Sequence, residues 1–241
     1  AAAAELATTA GTGGITFENA TTSKVVVSSA AKTSLANVAM KDAAGDATTL
    51  PYLVKDTAAN IKVAVGGDST YLSLSAGDVT ILNGASATLA GDLKAALDAL
   101  GTNKADASAV TSISGSASDI ADIADYKTST DATLKSDVAM SFDAIADAAA
   151  GDITAVNKAL AATTGAVTGS VTGAAETLAT ITPEATSSST NSLTLTVSDV
   201  ATTAVETATL VAISGATSGA ATVTNAIDIV GNISCVWGFG V

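Results

Sequence analysis

The stretch that most constrains this chain is Ile227 to Val241, where Ile227, Ile229, Ile233, Cys235, Trp237, Phe239 and Val241 alternate with Asp228, Asn232, Ser234, Gly238 and Gly240. Successive side chains of a strand point to opposite faces of its sheet, so a period of two predicts a strand with one buried face. At about 3.3 Å per residue the stretch would reach roughly 50 Å, whereas ordinary strands run to about 5–6 residues. It must therefore bend across two sheets or leave its own subunit. Both readings stay open at this point: a staple within the subunit, or a strand lent to a neighbour.

Upstream, the periodicity changes twice. Ile15 and Phe17 alternate with Thr16 and Glu18 ahead of Val25-Val26-Val27, which predicts two strands. Ile61, Val63 and Val65, then Tyr71 to Leu74, then Val79 to Leu82 alternate across Gly66-Gly67-Asp68 and Ala76-Gly77-Asp78, the pattern of a three-stranded meander. Beyond Asn83-Gly84 the spacing becomes helical. Leu93, Leu97 and Leu100, then Ile120 and Ile123, then Leu134, Val138, Phe142, Ile145 and Ala149, then Ile153, Val156 and Leu160 each mark one helix face. Ser116 to Asp119 has capping-box spacing, and Gly151-Asp152 offers a cap before Ile153. After Thr182-Pro183 a Ser/Thr-rich stretch reads as a linker. Strands are expected again at Leu193, Leu195 and Val197, and at Val205, Thr207, Thr209, Val211 and Ile213, which keep one parity.

This order predicts an α+β fold. Its expected architecture is an antiparallel, jelly-roll-like β-sandwich formed by the N- and C-terminal regions, with a helical middle region. The expected divisions are a β region at 1–84, an inserted helical region at 85–182, and a β region at 183–241 that completes the sandwich.

Composition narrows the chemistry. Apolar residues make up 48 %, much of that Ala, while aromatics are only 3 %, so packing must rely on small side chains with Val, Ile and Leu. Ten Lys face 23 Asp and Glu, and the formal charge of −13 repels nucleic-acid phosphates and anionic lipid alike. No apolar run approaches the roughly 18 residues of a membrane-spanning helix, so membrane insertion is not expected. His, Arg and Gln are absent. With them go most general bases and phosphate clamps, so no catalytic residue can be named and an enzyme is not expected. The single Cys, Cys235, lies on an apolar face and reads as a small buried hydrophobe. Ala1 to Glu5 lacks the basic-then-apolar pattern of a signal peptide. That fits a mature end left after cleavage or an arbitrary starting point.

A loose repeat runs through the middle: Val79 to Ser86 with Leu89, Val110 to Ala117 with Ile120, Val171 to Ala175 with Leu178, and Ile213 to Thr217. Each joins a strand end to a Gly turn and a small-residue helix entry. Its glycines, Gly84, Gly115, Gly173 and Gly215, are unevenly spaced, so a regular solenoid is not expected. Over residues 79–182 these segments resemble the degenerate Ala/Thr/Gly/Asp-rich repeats of very large secreted surface proteins of bacteria, cyanobacteria among them. The resemblance implies a structural role at the cell surface or outside it, with no catalytic residues to carry over.

Five Gly-Asp pairs place Asp at turns, and Asp46, Asp68 and Asp78 are the candidate Ca²⁺ ligands; ordinary turn and cap chemistry explains the same pairs without any cofactor. Asp119, Asp122 and Asp125 share a helix side that reads as a solvated face. Asn19 and Asn232 head N-glycosylation patterns. The expected function is a secreted structural subunit of an extracellular filament, sheath or surface layer, with copies of itself as partners. Assembly would proceed by terminal β-strand complementation through Ile15, Phe17, Ile227, Ile229, Ile233, Trp237, Phe239 and Val241. The rival expectation is an adhesin or glycan-binding module of a larger surface protein.

Overall fold

The computed structural model describes residues 25–27, 40–41, 47–48, 52–67, 79–100, 103–129, 131–183 and 189–231. The chain divides into two compact units, Ala1–Val110 with Tyr126–Leu134, and Thr111–Asp125 with Lys135–Val241. In chain order the elements are β1 (Val25–Val27), β2 (Met40–Lys41), β3 (Ala47–Thr48), β4 (Tyr52–Thr57), α1 (Ala58–Gly67), β5 (Val79–Leu82), β6 (Thr88–Leu89), α2 (Ala90–Asp98), β7 (Ala105–Ala107) and β8 (Ser112–Gly115). There follow α3 (Ala117–Ser129), β9 (Ala132–Leu134), β10 (Ala139–Phe142), α4 (Ala150–Ala162), β11 (Ala166–Gly173), α5 (Ala175–Leu178), β12 (Thr190–Val197), β13 (Ala204–Glu206), α6 (Thr207–Gly215), β14 (Ala221–Val223) and β15 (Asp228–Val230).

The first unit holds the sheet β1-β4-β5-β7-β9. All its ladders are parallel. In the second unit β14, β12, β11, β10 and β8 lie side by side in that order, again parallel, and β13 pairs in parallel with β15. The two-residue β2–β3 ladder is the antiparallel exception among the registers described. The expected antiparallel jelly-roll-like sandwich with a helical middle is therefore wrong. The protein is α/β with mostly parallel sheets, and strands β7 to β11 run through the middle that was read as helical.

Within each unit the pairing keeps a narrow offset along the chain. Met140 lies beside Ile113 and Val167, and Leu195 beside Val171 and Ala221. In the first unit Asp106 lies beside Thr80 and Thr133. Every one of these steps spans roughly 25 residues, the length of one coil of a solenoid. Each unit is thus a stack of coils, every coil setting its strand beside the equivalent strand of the coil before. The expectation that no regular repeat exists is corrected here. The glycines used to measure it are not equivalent, since Gly115 closes β8 whereas Gly215 closes α6.

Alanine explains several further misreadings. The supposed strand at Ile61, Val63 and Val65 is helix α1, which buries Ala58 and Ile61 one turn apart while Val63 is 77 % exposed. With Ala counted as a core residue, the period is helical rather than two. Leu134, Val138, Phe142 and Ile145 belong not to a helix but to β9, β10 and the segments beside them, where Ile145 forms an isolated parallel bridge with Val171. The expected strand over 205–213 is β13 followed directly by α6.

Other expectations hold at the level of elements. Leu93 and Leu97 are buried on α2 with Ala90 and Ala96, and Ile153, Val156 and Leu160 on α4 with Ala159. The Ser116 hydroxyl accepts the Asp119 N–H at 3.2 Å and donates to the Asp119 carboxylate at 2.9 Å, so the predicted cap is formed. Before α4, Asp152 Oδ2 accepts the Ala149 N–H at 2.9 Å. Strand β12 alternates as expected, with Asn191, Leu193, Leu195 and Val197 facing inward.

Candidate functional site

An apolar groove lies in the second unit, between α6 and strands β14 and β15. Leu210, Val211 and Ile213 of the helix, Val223 of β14 and Ile229 of β15 border a groove of about 360 Å3. Thr207 Oγ1 donates to the Val230 carbonyl at 2.9 Å and holds β15 against the start of the helix. Gly231 follows with φ +126°, in the left-handed region that glycine tolerates, and a Cβ there would meet the Thr207 hydroxyl at 2.9 Å.

Three large side chains around the groove meet water: Ile229 is 64 % exposed, and Val211 and Val223 are each 44 % exposed. Among the described residues, β14 pairs only with β12 and β15 only with β13. Among the described residues, then, one ladder of N–H and C=O groups on each is without a strand partner. Open edges are usually blunted by charge, Pro or a bulge. Here Ala221-Thr222-Val223 carries none of these, and β15 carries one charge, Asp228.

The residues singled out in the sequence fare unequally. Ile229 borders the groove, while Ile227 is half-buried just before β15. Of the expected strand over 227–241, residues 227–231 are described, and β15 lies within them. Ile15, Phe17, Ile233, Cys235, Trp237, Phe239, Val241, Asn19, Asn232, Asp46, Asp68 and Asp78 lie outside the described residues. No group of three or more His, Cys, Asp or Glu side chains able to hold a metal ion occurs among the described residues. The row Asp119, Asp122 and Asp125 is engaged: Asp119 caps α3, Asp125 accepts Lys158 at 2.7 Å, and Asp122 also has a partner. Likewise Asp92 is held by Lys62 at 2.6 Å. It stands beside a 290 Å3 cavity of the first unit lined by Thr57, Ala58 and the 84–89 turn. No helix among the described residues is long and apolar enough to cross a membrane.

Sequence reasoning missed the polar groups that close the coils. The Thr163 hydroxyl donates to the Val138 carbonyl at 2.5 Å and accepts the Gly165 N–H at 2.9 Å. Thr217 repeats both contacts, with Leu193 at 2.7 Å and Gly219 at 2.9 Å. Between them Asn191, fully buried, donates to the Ala216 carbonyl at 2.5 Å and accepts the Leu193 N–H at 3.1 Å. The signal was present as Thr163-Thr164-Gly165 and Thr217-Ser218-Gly219, two coils apart.

Three Asp carboxyls are held below the ordinary value of 3.8. Burial raises Asp98, but hydrogen bonds from Lys94 and Tyr126 outweigh it. Asp106 is lowered by the Ser108 hydroxyl and N–H, and Asp137 by Lys135. These are local partnerships on accessible surface. A scan against protein-family models and searches of curated proteins and of solved structures found no match.

Proposed function

We propose that the chain is a structural subunit of an extracellular filament, sheath or surface layer, and that it assembles with copies of itself by strand addition. The observation that carries this reading is that, among the described residues, β14 and β15 each end their own parallel sheet beside the apolar groove. A strand from a neighbouring copy would run parallel to β14 or β15, as the coils of the unit already do, and take up the free backbone groups. Its apolar side chain would cover Val223 and Ile229. A contact between two different surfaces of one protein propagates an open polymer. The composition supports the same reading, because a chain without His or Arg is poorly equipped for catalysis. So does the resemblance of residues 79–182 to repeats of secreted surface proteins.

The test is assembly of the whole chain, followed by sedimentation and negative-stain microscopy, with a Val223→Lys/Ile229→Lys double variant beside it. Wild type is expected to form regular polymers, and the variant to stay dispersed with unchanged circular dichroism. A wild type that sediments as a monomer at every concentration, or a variant that polymerises equally well, overturns the proposal.

A further inference from the structure

A turn of the first unit carries a second inference, independent of assembly. Residues 83–87 join β5 to β6 outside any helix or strand, and they begin with Asn83-Gly84. Asn83 is exposed, and its side-chain amide has no hydrogen-bond partner among the described residues. An asparagine at a turn ordinarily bonds its amide to nearby backbone, so this one is left free to react.

The other asparagines among the described residues differ on both counts. The amide nitrogen of Asn60 donates to Asp56 at 2.8 Å, that of Asn157 to the Thr180 carbonyl at 3.0 Å, that of Asn191 to the Ala216 carbonyl at 2.5 Å and that of Asn225 to the Asp199 carbonyl at 2.7 Å. Asn103 also has a partner. Each of these five is followed by a residue that carries a side chain, and Asn83 by glycine. The fold does not demand that glycine. A Cβ at Gly84 would lie 3.6 Å from the nearest atom, the Ser86 carbonyl oxygen, which is ordinary contact, and Gly84 is not among the glycines with positive φ.

We propose that Asn83 is a site of spontaneous covalent modification, at which the Gly84 backbone nitrogen attacks the Asn83 side-chain carbonyl carbon. The N–Cγ bond forms, the Cγ–Nδ2 bond breaks, and ammonia leaves with the proton given up by the Gly84 nitrogen. Water then opens the five-membered imide at one of its two carbonyls. Attack at Cγ restores the ordinary backbone with aspartate at position 83. Attack at the main-chain carbonyl leaves isoaspartate, with the backbone routed through the side chain and lengthened by a methylene. Glycine favours the first step because it leaves its nitrogen unhindered and lets the backbone adopt the conformation that ring closure needs. The free amide favours it as well, since no hydrogen bond has to be broken before the carbonyl carbon is approached. Either product adds a carboxylate next to the residues that line the 290 Å3 cavity, where Asp92 already stands. The turn therefore gains negative charge as the molecule ages.

The test incubates the whole chain in warm buffers from mildly acidic to mildly alkaline pH. Intact mass reads the exchange of –NH2 for –OH, enzymatic methylation reads isoaspartate, and peptide mapping locates both. Wild type is expected to gain the mass and the methyl label at position 83, faster as pH rises and the Gly84 nitrogen loses its proton more readily. Asn83→Gln, which would have to close a larger ring, should gain neither. Gly84→Ala, for which the turn has room, should slow the reaction several-fold while circular dichroism melts match wild type. No mass gain in wild type, modification that maps first to another asparagine, or an unchanged rate in Gly84→Ala overturns the proposal.

Discussion

Thr217 and Leu193 are joined across successive coils: the threonine hydroxyl donates to the leucine carbonyl at 2.7 Å while accepting the Gly219 N–H at 2.9 Å. One small side chain thereby satisfies a carbonyl of the preceding strand and an amide of its own turn. Thr163 does the same with Val138 and Gly165. Thr217→Val keeps the shape and removes the hydroxyl, leaving two backbone groups short of a partner. The expected loss is about 1–3 kcal/mol, with Thr217→Ser retaining most of the stability. Urea unfolding should show a lower midpoint at unchanged slope.

Glycine is required beside these threonines by space. A Cβ at Gly219 would collide with the Leu193 carbonyl, and one at Gly165 with the carbonyl of Asp137. Neither neighbour is a side-chain tip that could swing away, so Gly219→Ala and Gly165→Ala should each cost about 1–3 kcal/mol. Gly151, on α4, has nothing within 4 Å of its Cβ position. Gly151→Ala should therefore stabilise, by about 0.5–1 kcal/mol through helix propensity. Thermal melts of the three variants decide the order.

Asn191 makes a prediction about pH. Its amide nitrogen faces the Ala216 carbonyl and its oxygen the Leu193 N–H, and the side chain is fully buried. In Asn191→Asp an ionised carboxylate would be buried and turned partly toward a carbonyl, which raises its folded pKa above the unfolded value of about 3.9. The variant should be closest to wild type below about pH 4 and lose stability progressively as pH rises to the new folded pKa. A difference in urea midpoint that is flat across this range would contradict the assigned hydrogen bonds.

Asp98 and Asp106 titrate in the opposite sense. Burial works against the Asp98 charge, but Lys94 at 2.6 Å and the Tyr126 hydroxyl at 2.5 Å overcome it. Asp106 is lowered mainly by the Ser108 hydroxyl at 2.6 Å. Because both folded values lie below 3.8, the stability these groups contribute is present above that pH and is lost as pH falls through the folded values. Lys94→Met and Ser108→Ala should move the Asp98 and Asp106 carboxyl titrations upward, each without affecting the other. Carboxyl carbon NMR reads this directly.

The helices α2 and α4 were legible because Leu93 and Leu97, and Ile153, Val156 and Leu160, are large enough to outline a face by themselves. Helix α1 was hidden because half of its buried face is Ala58, a residue equally at home on a surface. The groove was partly visible through Ile229, whereas Leu210, Val211 and Val223 lay in segments assigned to longer strands. Asn191 and Thr217 look like ordinary loop formers until the coil before them is in place.

What the sequence by itself determined is local and chemical: the two helices, the alternation of β12, the acidity, and the lack of His and Arg. Only the tertiary structure decided that strands pair in parallel with the equivalent strand one coil away, as Met140 does with Ile113 and Leu195 with Val171. The reason is that a period of two reports which face a residue occupies and is silent on which strand lies alongside or in which direction it runs. That choice rests on contacts between coils, and among the residues making them here are Ala, Thr, Asn and Gly. Their role is visible only once the neighbouring carbonyl is there to meet them.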